Sequence, residues 1–192
     1  MHHFFSGLTV APLAAVPFRS PSLGARCFEA RELGWDLELR QPACFLPCVG
    51  GFVGSDPSEE HLKVFTVVRD ARDAAIEFVR EAVAAGREIK GAEVDDVSRG
   101  VIERAGYGQY FTHRTGHSIG EEVHGNGAHI DNLETRDSRK IIPRTCFSIE
   151  PGIYLPGNFG VRSEIDLYVG DGGRIEVTGQ PIQTELVRIL KD

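Results

Sequence analysis

HRTGHSIGEEVHG, residues 113–125, is the stretch that decides the fold and the chemistry of this chain. It sets three imidazoles among three glycines: His113, His117 and His124. Glycine allows close backbone approach, and imidazole is the side chain that changes its charge most readily near neutral pH and often binds metals. We therefore expect a divalent-metal or acid/base site in the C-terminal half of the chain.

The four-residue separation of His113 and His117 does not match the zinc motif HExxH. In that motif both histidines lie on one helical face, and the glutamate between them acts as a base. Here Arg114, Thr115 and Gly116 intervene, so the base is missing and a glycine would interrupt the helix. In an extended segment the same spacing places both imidazoles on one face. A hydrogen-bonded structural role remains open for each histidine taken singly.

Two carboxylates follow in strand-like surroundings. Residues 146–150 alternate apolar and polar and predict a strand that ends at Glu150, before Pro-Gly. Residues 161–169 predict one long strand whose polar face carries Arg162, Glu164, Asp166 and Tyr168. Glu150 could be solvated and Glu164 could pair with Arg162. Beside a glycine-flanked histidine, the two carboxylates also fit a site for manganese, cobalt, zinc or iron.

Two amphipathic helices are predicted ahead of the histidines. Asp56-Pro57-Ser58-Glu59 supplies an N-cap, a first-turn proline and a capping-box carboxylate, and Gly86 ends the first helix. Gly106 ends the second helix. The apolar positions that define the two faces are Leu62, Phe65, Val68, Ala75, Phe78 and Ala82, followed by Val94, Val97, Val101 and Ala105.

The composition of the chain argues against nucleic-acid binding, secretion and a membrane span. A net charge of −7 and a pI near 5.5 argue against nucleic acid as a partner, because no basic stripe is available for phosphates. The apolar start of the chain is interrupted at Pro12 and has no lysine or arginine before Arg19, which does not suit a secretory signal. No apolar run is long enough to span a membrane. We expect a cytoplasmic protein with free cysteines.

The composition changes near residue 50. Residues 1–50 hold three of the four cysteines, the single tryptophan and no lysine, without a sustained helical or strand period. We expect residues 1–50 to be a non-native or disordered segment and residues 51–192 to form one domain.

The ordered motifs HRTGHSIGEEVHG, FSIEPGIY and GVRSEID resemble those of the pita-bread metallopeptidases, which include Xaa-Pro aminopeptidase, prolidase and methionine aminopeptidase. The resemblance covers the chain from about Gly51 to its end and is nearest to the Xaa-Pro aminopeptidase and prolidase branch, because of His113 and Arg162. It implies an α+β pita-bread fold in which two amphipathic helices pack on a curved antiparallel sheet. It also implies a homodimer as a candidate assembly.

The resemblance implies a peptidase that acts on peptides with proline in the second position. Two metal ions, most often manganese, would activate a water that attacks the carbonyl on the N-terminal side of proline. By motif position the metal ligands are His117, Glu150 and Glu164, and Glu150 also moves a proton. His124 and His113 are implied as catalytic and substrate-binding residues, Arg162 as a substrate-binding residue and Asp166 as an orienting group.

The family's remaining two ligands are aspartates on a hairpin that precedes the first helix. Here the corresponding region reads LGWDLELRQPACFLPCVG, and Asp36 is the only aspartate in the first 55 residues. We therefore expect an N-terminally incomplete fold that loses one ion and holds the other with three ligands. A shifted reading frame or mis-set start before residue 50 would produce this pattern, and so would a diverged member of the family.

Two other functions remain open from the residues. One is a non-catalytic domain that binds Xaa-Pro peptides without cleaving them. The other is a metal-free hydrolase of C–N bonds, of creatinase type, with His124 as its acid/base. Chelator would abolish turnover by the metallopeptidase and leave that of the creatinase type unchanged.

Overall fold

The computed structural model describes residues 27–28, 51–53, 56–178 and 181–189. The expectation for residues 1–50, including Asp36, therefore falls almost wholly outside the described residues. The helices are α1 (Glu59–Ala84) and α2 (Gly91–Arg104). The strands are β1 (Cys27–Phe28), β2 (Gly51–Val53), β3 (Ser118–Ile119), β4 (Thr145–Ile149), β5 (Gly152–Tyr154), β6 (Gly160–Arg162), β7 (Ile165–Val169), β8 (Ile175–Val177) and β9 (Val187–Ile189).

Helix α1 begins two residues later than its sequence predicts. The N-cap is Ser58 rather than Asp56, and its hydroxyl accepts a hydrogen bond from the N–H of His61 at 3.4 Å. The His61 ring accepts in return from the N–H of Ser58 at 3.3 Å, so a histidine takes the place expected for Glu59. The predicted ends of both helices are confirmed, since Gly86 and Gly106 have positive φ angles just beyond them.

Helix α1 lies across two apolar clusters and connects them. Its C-terminal half packs with Ile76 and Val79 on Phe147, Ile149 and strands β7 and β8. Its N-terminal half packs with α2 and strands β5 and β6, through Val64, Phe65, Val68, Ala71, Ile102, Ile153, Phe159 and Val161. Leu62, predicted for this apolar face, is 45% exposed, so that assignment was wrong. The sheet therefore has one face closed by helix α1.

Strands β4 and β7 are the two central strands of a four-stranded sheet, in the order β3-β4-β7-β8 with every pair antiparallel. Strands β5 and β6 form a separate antiparallel pair, and β2 lies between β1 and β9. Two helices against an antiparallel sheet confirm the predicted α+β class.

The single long strand predicted for residues 161–169 is wrong. The chain forms β6, breaks at Ser163 and Glu164, and resumes as β7. The break arises because β6 pairs with β5 whereas β7 pairs with β4, and the N–H of Ser163 donates to the carbonyl of Pro151 between the two pairings. Glu164 consequently lies at a junction between sheets, close to Glu150.

No helix in these ranges combines the length and the apolar character that a membrane-spanning helix requires.

Helix α2 offers two glycines whose replacement should have opposite effects on stability. Gly91→Ala is expected to lower the free energy of unfolding by about 1–3 kcal/mol, because its Cβ would lie 1.7 Å from the carbonyl oxygen of His129. Gly100→Ala should raise it by about 0.5–1 kcal/mol, since the nearest contact is the flexible guanidinium of Arg104 at 3.1 Å. Urea unfolding followed by circular dichroism tests both. A Gly91→Ala variant as stable as the parent would contradict the close packing of α2 on His129.

Candidate metal centre

Three of the residues selected from the sequence come together in space. Each of His117, Glu150 and Glu164 offers a ligand atom, and these atoms lie within 4.8 Å of one another. His117 and Glu150 are buried, and Glu164 is partly buried. Among the residues that the structure describes, no aspartate joins this group. The predicted convergence of one imidazole and two carboxylates is present.

The backbone around Gly116 brings the histidine segment onto strand β4. The carbonyl of Thr115 accepts from the N–H of Glu150 at 2.6 Å, and the carbonyl of His117 accepts from the N–H of Ser148 at 2.9 Å. A Cβ on Gly116 would lie 1.9 Å from the carbonyl oxygen of Ser148. Only glycine permits this approach, which places His117 beside Glu150.

His117 presents one ring nitrogen to the carboxylates. Its Nδ1 lies 3.0 Å from the carbonyl oxygen of Ser118, which can only accept, so Nδ1 carries the proton. Burial lowers the pKa of His117, and the imidazole of His124 lowers it further. The ring is therefore neutral at pH 7, with the Nε2 lone pair 3.4 Å from Oε1 of Glu150. A backbone partner on the far nitrogen is the usual arrangement of a metal-binding histidine.

Arg162 contacts both carboxylates of the group. Its guanidinium lies 3.3 Å from Oε2 of Glu150 and 3.3 Å from Oε2 of Glu164. The ion pair between Arg162 and Glu164 considered from the sequence is thus present, together with a second one to Glu150. The two Oε2 atoms are directed to the arginine, whereas Oε1 of Glu150 faces His117.

Asp166 adds a third carboxyl group to this face of the sheet. Burial raises the pKa of Asp166 to about 7, and the negative charges of Glu164 and Glu150 contribute to the increase. Such crowding of carboxylates is costly, and a divalent cation would relieve it. The mixture of one neutral imidazole and two carboxylates suits manganese, iron, cobalt or zinc. These residues fit a metal ion.

His113 lies beside the group without joining it. Its Nδ1 donates to the carbonyl of Arg114 at 2.7 Å, and its Nε2 is 2.9 Å from the hydroxyl of Tyr154. Burial lowers the pKa of His113, so the ring is neutral and its Nε2 accepts from the tyrosine. The side chain is thereby held between the histidine stretch and strand β5.

His124 is the exposed member of the predicted set. Its ring centroid lies 4.3 Å from that of His117, so it stands at the open side of the group. His129, which the sequence analysis did not select, accepts at Nδ1 from the N–H of Ser118 at 3.0 Å. The sequence around His129 does not indicate that its ring accepts a backbone hydrogen bond.

A buried ion pair on helix α2, between Asp95 and Arg99, binds the backbone of the histidine stretch. The sequence analysis did not select either residue. Asp95 is fully buried and accepts from the N–H of Thr115 at 2.8 Å. Arg99 binds Asp95 and donates to the carbonyls of Phe111 and His113 at 3.1 and 2.9 Å. The four-residue spacing of Asp95 and Arg99 is a detectable signal, but it is more common on exposed helix faces.

The sequence and the structure of the chain were compared with those of known proteins. The model of metallopeptidase family M24 matches residues 48–171, which is more than half of the chain. A second model, described as the RACo middle region, matches residues 1–62.

Similar proteins include both sequences and solved structures. An Xaa-Pro dipeptidase from Lactobacillus helveticus is 41% identical over 108 residues, which are 56% of this chain and 27% of that protein. A prolidase structure from Thermococcus sibiricus is 34% identical with a TM-score of 0.62, over 74% of this chain and 35% of that one. An X-Pro aminopeptidase structure from Thermotoga maritima is 30% identical with a TM-score of 0.62, over 74% and 37%. The chain thus spans between about a quarter and two fifths of these relatives.

Proposed function

Since this chain belongs to metallopeptidase family M24, we propose that it is a metal-dependent peptidase that cleaves the peptide bond on the N-terminal side of proline. The observation that carries the proposal is the convergence of His117, Glu150 and Glu164 within 4.8 Å at a crowded, partly buried group of carboxylates. The Xaa-Pro dipeptidase and prolidase names of its relatives supply the substrate class.

The metal is held by His117, Glu150 and Glu164 in this proposal, and manganese is the ion that we expect. A divalent cation at such a site supplies Lewis-acid polarisation of a carbonyl and lowers the pKa of water. Three protein ligands leave further positions open to water and substrate. Nε2 of His117 is already free of a proton, so binding needs no deprotonation of this ring.

Glu150 is proposed to move the proton as well as to bind metal. Its carboxylate would accept the proton of the attacking water and deliver it to the nitrogen of the departing proline. Glu150 is buried, and its Oε2 lies 3.3 Å from the guanidinium of Arg162.

The remaining predicted residues are proposed to contact substrate. His124 would hydrogen-bond the peptide carbonyl as negative charge develops on its oxygen, which is supported by its exposed imidazole 4.3 Å from that of His117. His113, fixed by Tyr154, and Arg162 would shape the site around the proline. We propose a cytoplasmic setting and a homodimer on the resemblance to the family alone.

A peptide-binding domain without turnover is the second candidate. It is favoured by the count of ligands: three converge among the described residues, whereas the family pattern has five. A metal-free hydrolase of C–N bonds, with His124 as its acid/base, is the third candidate.

Hydrolysis of Xaa-Pro dipeptides by the full chain tests the proposal. Chelator-stripped protein is incubated with Ala-Pro or Leu-Pro, with and without Mn²⁺, and free proline is measured. Release of proline only with Mn²⁺ supports the peptidase. Release that resists chelator indicates the metal-free hydrolase instead. If the dipeptides raise the melting temperature but no free proline is released, the chain is a peptide-binding domain without turnover.

A further inference from the structure

We infer that Ser148 is a positioning residue that fixes the carboxylate of Glu150 and so prepares the metal-binding group. The inference rests on the proposed function, because it assumes that His117, Glu150 and Glu164 bind a cation. Ser148 is fully buried in strand β4, two residues before Glu150, and thus shares its face of the sheet. A polar side chain in such a position must find its partners within the protein.

One hydroxyl of Ser148 connects two of the three ligands. Its Oγ lies 3.0 Å from Oε1 of Glu150 and accepts from the backbone N–H of His117 at 3.0 Å. An ionised carboxylate can only accept, and the N–H of His117 can only donate to the hydroxyl oxygen. The single hydroxyl proton is therefore directed to Oε1 of Glu150.

This hydrogen bond sets the rotation of the carboxylate. Oε1 of Glu150, which Ser148 holds, is also the oxygen 3.4 Å from Nε2 of His117. The other oxygen, Oε2, is 3.3 Å from the guanidinium of Arg162. Removal of the hydroxyl deletes this hydrogen bond to Oε1 and leaves the contact of Oε2 with Arg162 in place, so we expect the carboxylate to rotate and Oε1 to move relative to His117. Ser148 thus keeps one oxygen of Glu150 available to a cation beside the imidazole.

Gly116 makes the contact geometrically feasible. A Cβ at this position would lie 1.9 Å from the carbonyl oxygen of Ser148 and 3.2 Å from its Oγ. The glycine therefore lets the backbone of His117 come within hydrogen-bond distance of the hydroxyl. Gly116 allows the close approach because it has no side chain. The hydroxyl of Ser148 then accepts from the N–H of His117 and donates to Glu150.

Metal binding, measured without substrate, tests the inference. Mn²⁺ is titrated calorimetrically into the chelator-stripped full chain and its variants. Ser148→Ala is expected to raise the Kd for Mn²⁺ about 10- to 100-fold, the usual cost of losing a group that orients a ligand. Ser148→Thr retains the hydroxyl and should stay within about threefold of the parent, because a β-branched residue also suits a strand. Such rescue would not be expected of a residue that merely fills space.

Ser98→Ala is the matched control, because Ser98 is equally buried and its hydroxyl has no hydrogen-bond partner among the described residues. It should leave the Kd unchanged. If Ser148→Ala does not fold, as judged by melting in chelator, Ser148→Cys replaces it, and its weaker donor should raise the Kd about tenfold. A folded Ala or Cys variant with the parent Kd would overturn the inference and leave the proposed function standing. A parent chain that binds no Mn²⁺ would overturn both.

Discussion

Replacement of Glu164 by glutamine is expected to weaken Mn²⁺ binding at least about 100-fold. Loss of a group that only orients a ligand costs about 10- to 100-fold, and Glu164 supplies a ligand atom itself. The amide also removes a negative charge from the crowded face that includes Glu150 and Asp166, which lowers the attraction for any cation. Calorimetric titration of the stripped chain measures the Kd directly, and release of proline from Xaa-Pro dipeptides should fall in parallel.

Glu176→Gln is the control for this variant. Glu176 lies on strand β8 of the same sheet, is partly exposed and pairs with Arg174 at 2.5 Å, so it shares the chemistry of the substitution but not the site. Its Kd should match that of the parent. Dipeptide hydrolysis that persists undiminished in Glu164→Gln would reject the metallopeptidase and favour the metal-free hydrolase.

The parts of this fold that the sequence predicts are those set by local chemistry. Gly86 and Gly106 end the helices because glycine adopts positive φ without steric cost, and no distant contact is needed to know this. Alternation in residues 146–150 likewise places Ser148 and Glu150 on one face. The group of His117, Glu150 and Glu164 was found by motif and order, and the geometry of the structure agrees with it.

The parts that the sequence does not predict depend on partners far along the chain. Alternation continues through Ser163 and Glu164, yet the strand breaks there, because the two halves pair with different strands. Buried polar residues were missed for a similar reason. Arg72 on α1 is 1% exposed and donates to Ser163, 91 residues away, a partner that helical periodicity cannot reveal.

Asp95 is another buried polar residue whose backbone partners lie far along the chain. Of the substitutions proposed for stability, its replacement should have the largest effect on the free energy of unfolding. Asp95→Ala is expected to lower the free energy of unfolding by about 3–5 kcal/mol, because it leaves the nearly buried guanidinium of Arg99 without its carboxylate. The N–H groups of Thr115 and Asn132, which donate to Asp95 at 2.8 and 3.2 Å, would lose their acceptor as well. Chemical unfolding in urea, followed by circular dichroism in chelator, gives the difference without a metal contribution.

Asp96→Ala removes the same charge one residue along helix α2 and is the matched control. Asp96 is exposed and accepts a hydrogen bond from the side-chain amide of Asn132 at 2.6 Å, so the change should stay within about 0.5 kcal/mol. If Asp95→Ala is too unstable to purify, Asp95→Asn keeps one acceptor oxygen and should cost less, but still more than about 1 kcal/mol. Equal stability of the Asp95 and Asp96 variants would show that the ion pair on α2 does not support the histidine stretch, since the two differ in burial and in contact with Thr115.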